Sequence, residues 1–278
     1  MKKIIVLAAV AAMLPVSLMA QTAPDGGLSP EVLSRISKGY TGTSYDKAVR
    51  NALAGSSVNV MATNAENASM IDTHFSDRVK TKGITDQKSS GRCWLFTGLN
   101  VLRAKMIEKY NLGSFTFSQN YLFFYDQLEK ANLFLQGVID TRKLPFDDRK
   151  VDWLFSNPLS DGGQFTGVSD LAMKYGLVPS EVMPETYSSN NTSQMALQLK
   201  TVLRQGGLAL RAAYDASPAA SAKGKNAAAA EAKVNAELLK IKESVLTDVY
   251  RILSLCLGVP PTSFEWSMYD SSDKLVST

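Results

Sequence analysis

The sequence predicts a mostly helical chain, and three observations carry that reading. Apolar residues recur at spacings of three and four through several long segments, the signature of a buried helix face. The longest segment, Ala227–Leu257, presents Val234, Leu238, Ile241, Val245, Val249 and Ile252 on one side. Only two short runs, Val79–Thr85 and Gly207–Arg211, read as strands.

The elements follow in order. Residues 21–45 are rich in Thr, Pro, Gly and Ser, with one short helix expected after Ser29-Pro30. Asp46 is placed to cap a helix over 46–54, with Val49 and Leu53 on one face. Residues 55–70 are small and polar, so the whole stretch before Val79 reads as an arm outside the core. Helices are then expected over 93–110, with Leu95, Leu99, Leu102 and Met106 as one stripe, and over 118–135. In the latter, the aromatic cluster Tyr121–Tyr125 reads as core. A third helix spans 164–175, closed by Gly176 and Pro179, and a fourth spans 193–203, followed by Gly206-Gly207. Residues 215–226 form an Ala/Ser/Pro/Lys/Gly linker. The long helix of about 45 Å comes next and is stopped by Gly258 and Pro260-Pro261.

Composition bounds the function. The chain has 278 residues, 45% of them hydrophobic and 20% charged, which suits a globular protein and disfavours wholesale disorder. A net charge of +4, dispersed along the chain, gives no nucleic-acid footprint, and Lys223 and Lys225 read as a solvated linker. Two cysteines cannot staple a chain of this size, and one histidine, His74, excludes a His-rich metal site. Cys256, in Leu-Ser-Leu-Cys-Leu-Gly, reads as a small buried apolar residue. The sequons at Asn67, Asn190 and Asn191 are uninformative behind a bacterial-style leader.

That leader is residues 1–20. Lys2-Lys3 precede an apolar stretch from Ile4 to Leu14, too short to span a bilayer, then Pro15 and a small-residue cleavage site at Ala20. A secreted or periplasmic product is expected, cleaved before Gln21. No other stretch is long and apolar enough to be a membrane span.

The chemistry concentrates in Thr85–Phe96, TDQKSSGRCWLF. Cys93 sits where a Ser/Gly loop turns into an amphipathic helix. A thiol there meets the positive end of the helix macrodipole, which favours the nucleophilic thiolate. Arg92 is expected to add positive charge nearby, and Gln87, six residues earlier, offers an amide donor to a developing oxyanion. A cysteine at a helix start is weak evidence by itself, since an inert buried thiol is commoner.

The run as a whole resembles the papain superfamily, in which a glutamine precedes the nucleophile by six residues and Gly-x-Cys-Trp opens the central helix. Gln87, Gly91, Cys93, Trp94 and Phe96 match. Ser90 and Arg92 depart from the Cys-Gly-[Ser/Ala]-Cys-[Trp/Tyr] signature. These departures resemble the bleomycin hydrolase and bacterial aminopeptidase C branch. Phe117–Asn132, DGGQF (Asp161–Phe165), Lys174–Pro179, Pro184–Ser189, Val249–Pro261 and Ser263–Asp270 resemble that branch in the expected order.

The resemblance implies a papain-like α+β fold, seen here mainly as its helical lobe with a helical insertion. It implies a thiol aminopeptidase in which Cys93 is the nucleophile and Gln87, with the Cys93 N–H, holds the oxyanion. Gly162 and Gly163 would line the cleft for an extended peptide, and Trp94 would pack in the core. No cofactor or metal is implied. The partner is a peptide, and complete members form homo-oligomers, hexamers in the family. The implied organisation is leader 1–20, arm 21–78, helical lobe 79–214, linker and long helix 215–258, and the start of a second lobe at 259–278.

That second, β-rich lobe supplies the general-base His and its orienting Asn. No His follows Cys93, and His74, in DTHFSD, matches no family motif. The chain is therefore expected to be truncated and inactive alone. The alternative is a papain-like remnant or peptide-binding domain that kept the cleft and lost the base.

Overall fold

A computed structural model describes residues 27–79, 81–222 and 226–277. The leader, Lys223 and Lys225 lie outside the described residues. The chain divides into two units, one ending at Phe75 and the other beginning at Ser76.

The first unit holds four helices: α1 Pro30–Gly39, α2 Ser44–Gly55, α3 Val58–Ala62 and α4 Ala65–Ser69. Their local chemistry is sufficient to start them. Ser29 caps α1 ahead of Pro30, Ser57 caps α3 and Asn64 caps α4. Helix α2 begins two residues before the expected Asp46, because Thr43 and Asp46 form a reciprocal capping box. No buried residue is found in α1, α2 or α3, so these helices rest on capping rather than on a core. The small, polar stretch 55–70 contains α3 and α4 for the same reason.

The second unit carries α5 Cys93–Lys109, α6 Gln119–Asp140, α7 Arg149–Ser156, α8 Phe165–Tyr175, α9 Tyr187–Asn190, α10 Ser193–Asp215 and α11 Ala227–Leu257. A hairpin of β1 Ser267–Tyr269 and antiparallel β2 Leu275–Ser277 follows, with Met268 opposite Val276. Among the described residues no helix is long and apolar enough to cross a membrane.

Helix α6 is the centre of this unit. Leu122, Phe123, Phe124, Leu135 and Val138 are fully buried, and α8, α10 and α11 all pack against it. Ser118 caps it, accepting from Tyr121 N–H at 3.0 Å while donating to the Met183 carbonyl. Asn120, wholly buried, donates to the carbonyls of Pro184 at 2.8 Å and Leu257 at 2.7 Å, tying α6 to the end of α11. Burying an apolar side chain of this size contributes roughly 1.5–3 kcal/mol, so the buried run on α6 adds substantially to the cohesion of this unit.

Several sequence expectations change here. Helix α10 runs to Asp215 instead of stopping at 203, so the expected strand Gly207–Arg211 is helical. Gly206 and Gly207 act as contact points. A Cβ on Gly206 would lie 2.7 Å from Val245, and one on Gly207 would lie 3.0 Å from the Phe155 ring. The stripe Met195, Leu199, Leu203 continues through Leu210 and Tyr214 and outweighs two weak helix formers. Helix α6 likewise passes Gly137, where a Cβ would lie 3.1 Å from Leu154, and buries Val138 and Ile139 beyond it.

No strand forms among the described residues of 79–85. Lys82 and Gly83 have φ of 46° and 115°, and Arg103 and Asn100 of α5 hold the segment through Gly83 O and Thr85 Oγ1. Helix α5 is buried on more than the one expected stripe. Trp94, Phe96, Arg103 and Ile107 are buried beside Leu95 and Leu99, whereas Leu102 and Met106 are partly buried. Cys256 is only half-buried and forms no disulfide.

Candidate active site

The site is built where the loop Gln87–Arg92 enters α5. Its thiol-bearing residue, Cys93, is exposed and occupies the first turn of the helix. Arg92 stands at the N-cap and makes no side-chain capping bond. The helix therefore opens on peptide N–H groups that no N-cap side chain covers, as an anion-receiving terminus requires.

The loop is cross-tied through Gln87 and Ser90. Gln87 Nε2 donates to the Ser90 carbonyl at 2.7 Å, and Ser90 Oγ donates to the Gln87 carbonyl at 2.6 Å. An amide nitrogen carries two protons, so one remains after the bond to Ser90. Lys88 between them has φ of 54°, and Asp86 holds that turn by accepting from Lys88 N–H and Nζ, both at 2.8 Å. Ser89 continues the anchoring by donating its N–H to Asn190 O at 2.9 Å.

Arg92 departs most from the sequence expectation. Rather than projecting charge toward solvent beside the thiol, its side chain is fully buried. Its guanidinium meets Glu185 in a two-pronged pair at 3.0 and 2.8 Å, and Nε donates to Ser90 Oγ at 2.9 Å. The rings of Phe96 and Phe123 flank it at 5.0 and 5.1 Å. Glu185 balances the charge at close range, so the field expected from Arg92 at Cys93 is largely cancelled.

A second stretch, Asp161–Gly163, lies against the first. Trp94 Nε1 donates to Asp161 O at 2.8 Å, and Gly91 N–H donates to Asp161 Oδ2 at 3.2 Å. Thr192 Oγ1 donates to the same carboxylate oxygen. Gly163 lies flat on the Trp94 indole, where a Cβ would come within 2.5 Å of the ring, whereas a Cβ on Gly162 would meet open space. Lys130 straps this stretch, donating to Gly162 O at 2.7 Å, Ser160 O at 3.0 Å and Asp126 Oδ2 at 2.7 Å. Its Nζ also sits 5.3 Å from the Trp94 ring centroid.

The structure thus brings Gln87, Cys93, Gly162 and Gly163 into one neighbourhood through Gly91, Trp94 and Asp161. His74 belongs to the first unit and is exposed, with its N–H donated to Asp72. Among the described residues, no group of three or more His, Cys, Asp or Glu is placed to hold a metal ion.

Comparison with known proteins decides the family. The profile of the Peptidase C1-like family matches residues 27–278. The chain belongs to the Peptidase C1-like family. Within it, the similarity is to the aminopeptidase C and bleomycin hydrolase branch of papain-like cysteine peptidases. Aminopeptidase C of Lactobacillus delbrueckii subsp. lactis is 40% identical over 72% of this chain and 41% of its own length. Bleomycin hydrolase of Homo sapiens is 37% identical over 69% of this chain and 39% of its own. The solved structure of PepW from Lactobacillus rhamnosis HN001 superposes with a TM-score of 0.78 at 32% identity, covering 92% of this chain and 54% of that one. The chain spans about half the length of the curated relatives it matches.

As a Peptidase C1-like helical lobe, the structure supplies three features missed in the sequence. Glu185 pairs with Arg92, Asp161 stitches three segments, and Lys130 straps the glycines. Two signals were present, since Glu185 lies in PETYSS and Asp161 in DGGQF, both runs that resemble the branch. Nothing in the sequence pattern pairs Lys130 with residues 160–162.

Proposed function

We propose that these residues carry the nucleophile and oxyanion half of a cysteine aminopeptidase. The observation that carries the reading is the exposed Cys93 at an uncapped helix N-terminus, with the Gln87 amide tied into the same loop. The names of the relatives, aminopeptidases C, E and G, support the substrate class. Cys93 Sγ, as thiolate, attacks the carbonyl of an N-terminal peptide bond. The second Gln87 Nε2 proton and the Cys93 N–H receive the oxyanion. Collapse releases the amine and leaves a thioester, which water hydrolyses. Gly162 and Gly163 leave room for an extended peptide to lie close to the backbone.

The leaving amine needs a proton, and a papain-like site takes it from a His. Beyond Cys93 these 278 residues contain no histidine. We therefore infer that they do not turn over by themselves and that a β-rich lobe bearing His and Asn completes the site. The leader points to an exported product, which N-terminal sequencing of exported protein tests. A start at Gln21 supports it and a start at Met1 refutes it.

The deciding assay is hydrolysis of aminoacyl-coumarin amides, with Cys93→Ala as control. The 278-residue chain is expected to give no Cys93-dependent turnover, because losing the base costs several orders of magnitude, about as much as losing the nucleophile. A chain extended by the β-rich lobe is expected to turn over. Cys93-dependent turnover by the 278 residues alone overturns the missing base, and an inactive extended chain overturns the aminopeptidase.

A further inference from the structure

We propose that Arg92 and Glu185 are positioning residues, which set the Gln87 amide relative to Cys93 through the hydroxyl of Ser90. The inference rests on the oxyanion role given to Gln87 above and goes one step further, to what fixes that amide.

The geometry forms a continuous chain of contacts. Glu185 is held by Ser189 Oγ, which donates to Oε2 at 2.6 Å, and it receives both arms of the Arg92 guanidinium. The third donor, Arg92 Nε, reaches Ser90 Oγ at 2.9 Å. That hydroxyl donates in turn to the Gln87 backbone carbonyl, while the Ser90 backbone carbonyl accepts from the Gln87 side-chain amide. Ser90 therefore grips Gln87 at both its backbone and its amide, and Arg92 grips Ser90. Arg92 is also the residue immediately before the nucleophile, so the same anchor sets the entry to α5. A planar fork with three used N–H directions does this, and a lysine ammonium does not reproduce it. With Arg92 wholly buried between two rings, the anchor has no rotamer freedom to relax into.

Removing one hydroxyl thus loosens the amide and leaves the thiol where it is. Two probes separate these effects. A peptidyl aldehyde adds the Cys93 thiol across its carbonyl. An S–C bond forms, the C=O π bond breaks, and the thiol proton ends on the former carbonyl oxygen, the atom Gln87 would hold. Iodoacetamide alkylates the same sulfur and forms no oxyanion.

The experiment uses the 278-residue chain as wild type, Gln87→Ala, Ser90→Ala, Ser90→Thr, Arg92→Lys and the Gln87→Ala/Ser90→Ala double variant. Adduct affinity is read with a ¹³C-labelled aldehyde carbon, folding by circular dichroism, and alkylation rate by intact mass. Gln87→Ala is expected to weaken the adduct on the order of 10²-fold. Ser90→Ala is expected to weaken it about tenfold, the worth of a hydrogen bond at the upper end of the usual range, and to leave alkylation within about twofold. Ser90→Thr keeps a hydroxyl and restores affinity. The double variant is no weaker than Gln87→Ala, because Ser90 acts only through Gln87. Arg92→Lys behaves like Ser90→Ala where it folds, and Ser90→Ala carries the test where it does not.

Outcomes separate the two layers. If Gln87→Ala weakens the adduct but Ser90→Ala does not, or if the double variant is additive, the positioning role is wrong and the oxyanion role stands. If Ser90→Ala slows alkylation as much as it weakens the adduct, its effect is general and the proposal falls. If Gln87→Ala binds as wild type does, or wild type forms no adduct, the oxyanion reading fails and this proposal fails with it.

Discussion

Gln87–Arg92 and Asp161–Gly163 meet through Gly91 and Trp94, the residues around Cys93, yet different interactions hold them. The first is fixed by an ion pair and two hydroxyls, with Arg92 buried and Glu185 as its counter-ion. The second is fixed by a ring face against Gly163 and by Lys130 across the carbonyls of Ser160 and Gly162. A buried ion pair is intolerant of losing one member, because the other is left charged and unsolvated. A glycine on an indole is intolerant of gaining volume. The comparison teaches that one stretch is sensitive to deletion and the other to addition.

The largest break should come at Arg92 and Glu185. Glu185→Ala leaves the guanidinium without its partner and is expected to cost about 3 kcal/mol of unfolding free energy. Arg92→Met with Glu185→Leu removes both charges and is expected to cost clearly less. Urea unfolding of both variants checks this, and a double variant as damaged as the single one would mean that packing, not charge, dominates.

The glycines sharpen the other side. Gly163→Ala puts a methyl within 2.5 Å of the Trp94 ring and is expected to cost about 1–3 kcal/mol. Gly162→Ala meets open space and should stay within about 0.5 kcal/mol of wild type. Equal effects would contradict the described contact.

Two carboxyls one turn apart on α6 give the smallest and most specific effect. Burial raises Asp126, only partly offset by the charge of Lys130 and by hydrogen bonds from Lys130 and Gln127. Burial also acts upward on Glu129, but hydrogen bonds from Lys174 and Tyr175 and the charge of Lys174 outweigh it, leaving Glu129 below its ordinary value. Asp126 therefore contributes stability that is full below its ordinary 3.8 and is lost as pH rises through the higher folded value. Glu129 contributes stability that is present above 4.5 and is lost as pH falls through its lower folded value. Urea midpoints followed from neutral pH down into the carboxyl range test the signs. The advantage of wild type over Asp126→Asn should grow toward acid, and its advantage over Glu129→Gln should shrink. Movement in the same direction would contradict the two environments.

Much of this molecule is legible before any coordinates. The limits of α11 follow from its stripe and Gly258, and Cys93 and Gln87 follow from one twelve-residue run. What stays hidden is relational. Gly206 and Gly207 read as the end of a helix because glycine is a weak helix former, and the helix through Gly137 is expected to end at 135. Their use as contact points depends on Leu154, Val245 and Phe155, which are distant in sequence. Arg92 reads as a free charge because Glu185, 93 residues on, cannot be paired with it from spacing. Helix α7, unpatterned apart from Val151, Leu154 and Phe155, is too short to stand out by periodicity.

The central claim is that Cys93, and not the chain's other thiol, is the nucleophile. Cys93 is exposed at the opening turn of α5, whereas Cys256 is half-buried near the end of α11. The most direct measurement treats the folded chain with a substoichiometric peptidyl electrophile and maps the modified cysteine by peptide mass. Labelling confined to Cys93 and abolished in Cys93→Ala is the predicted result. Labelling of Cys256, or equal labelling of both, would contradict the account.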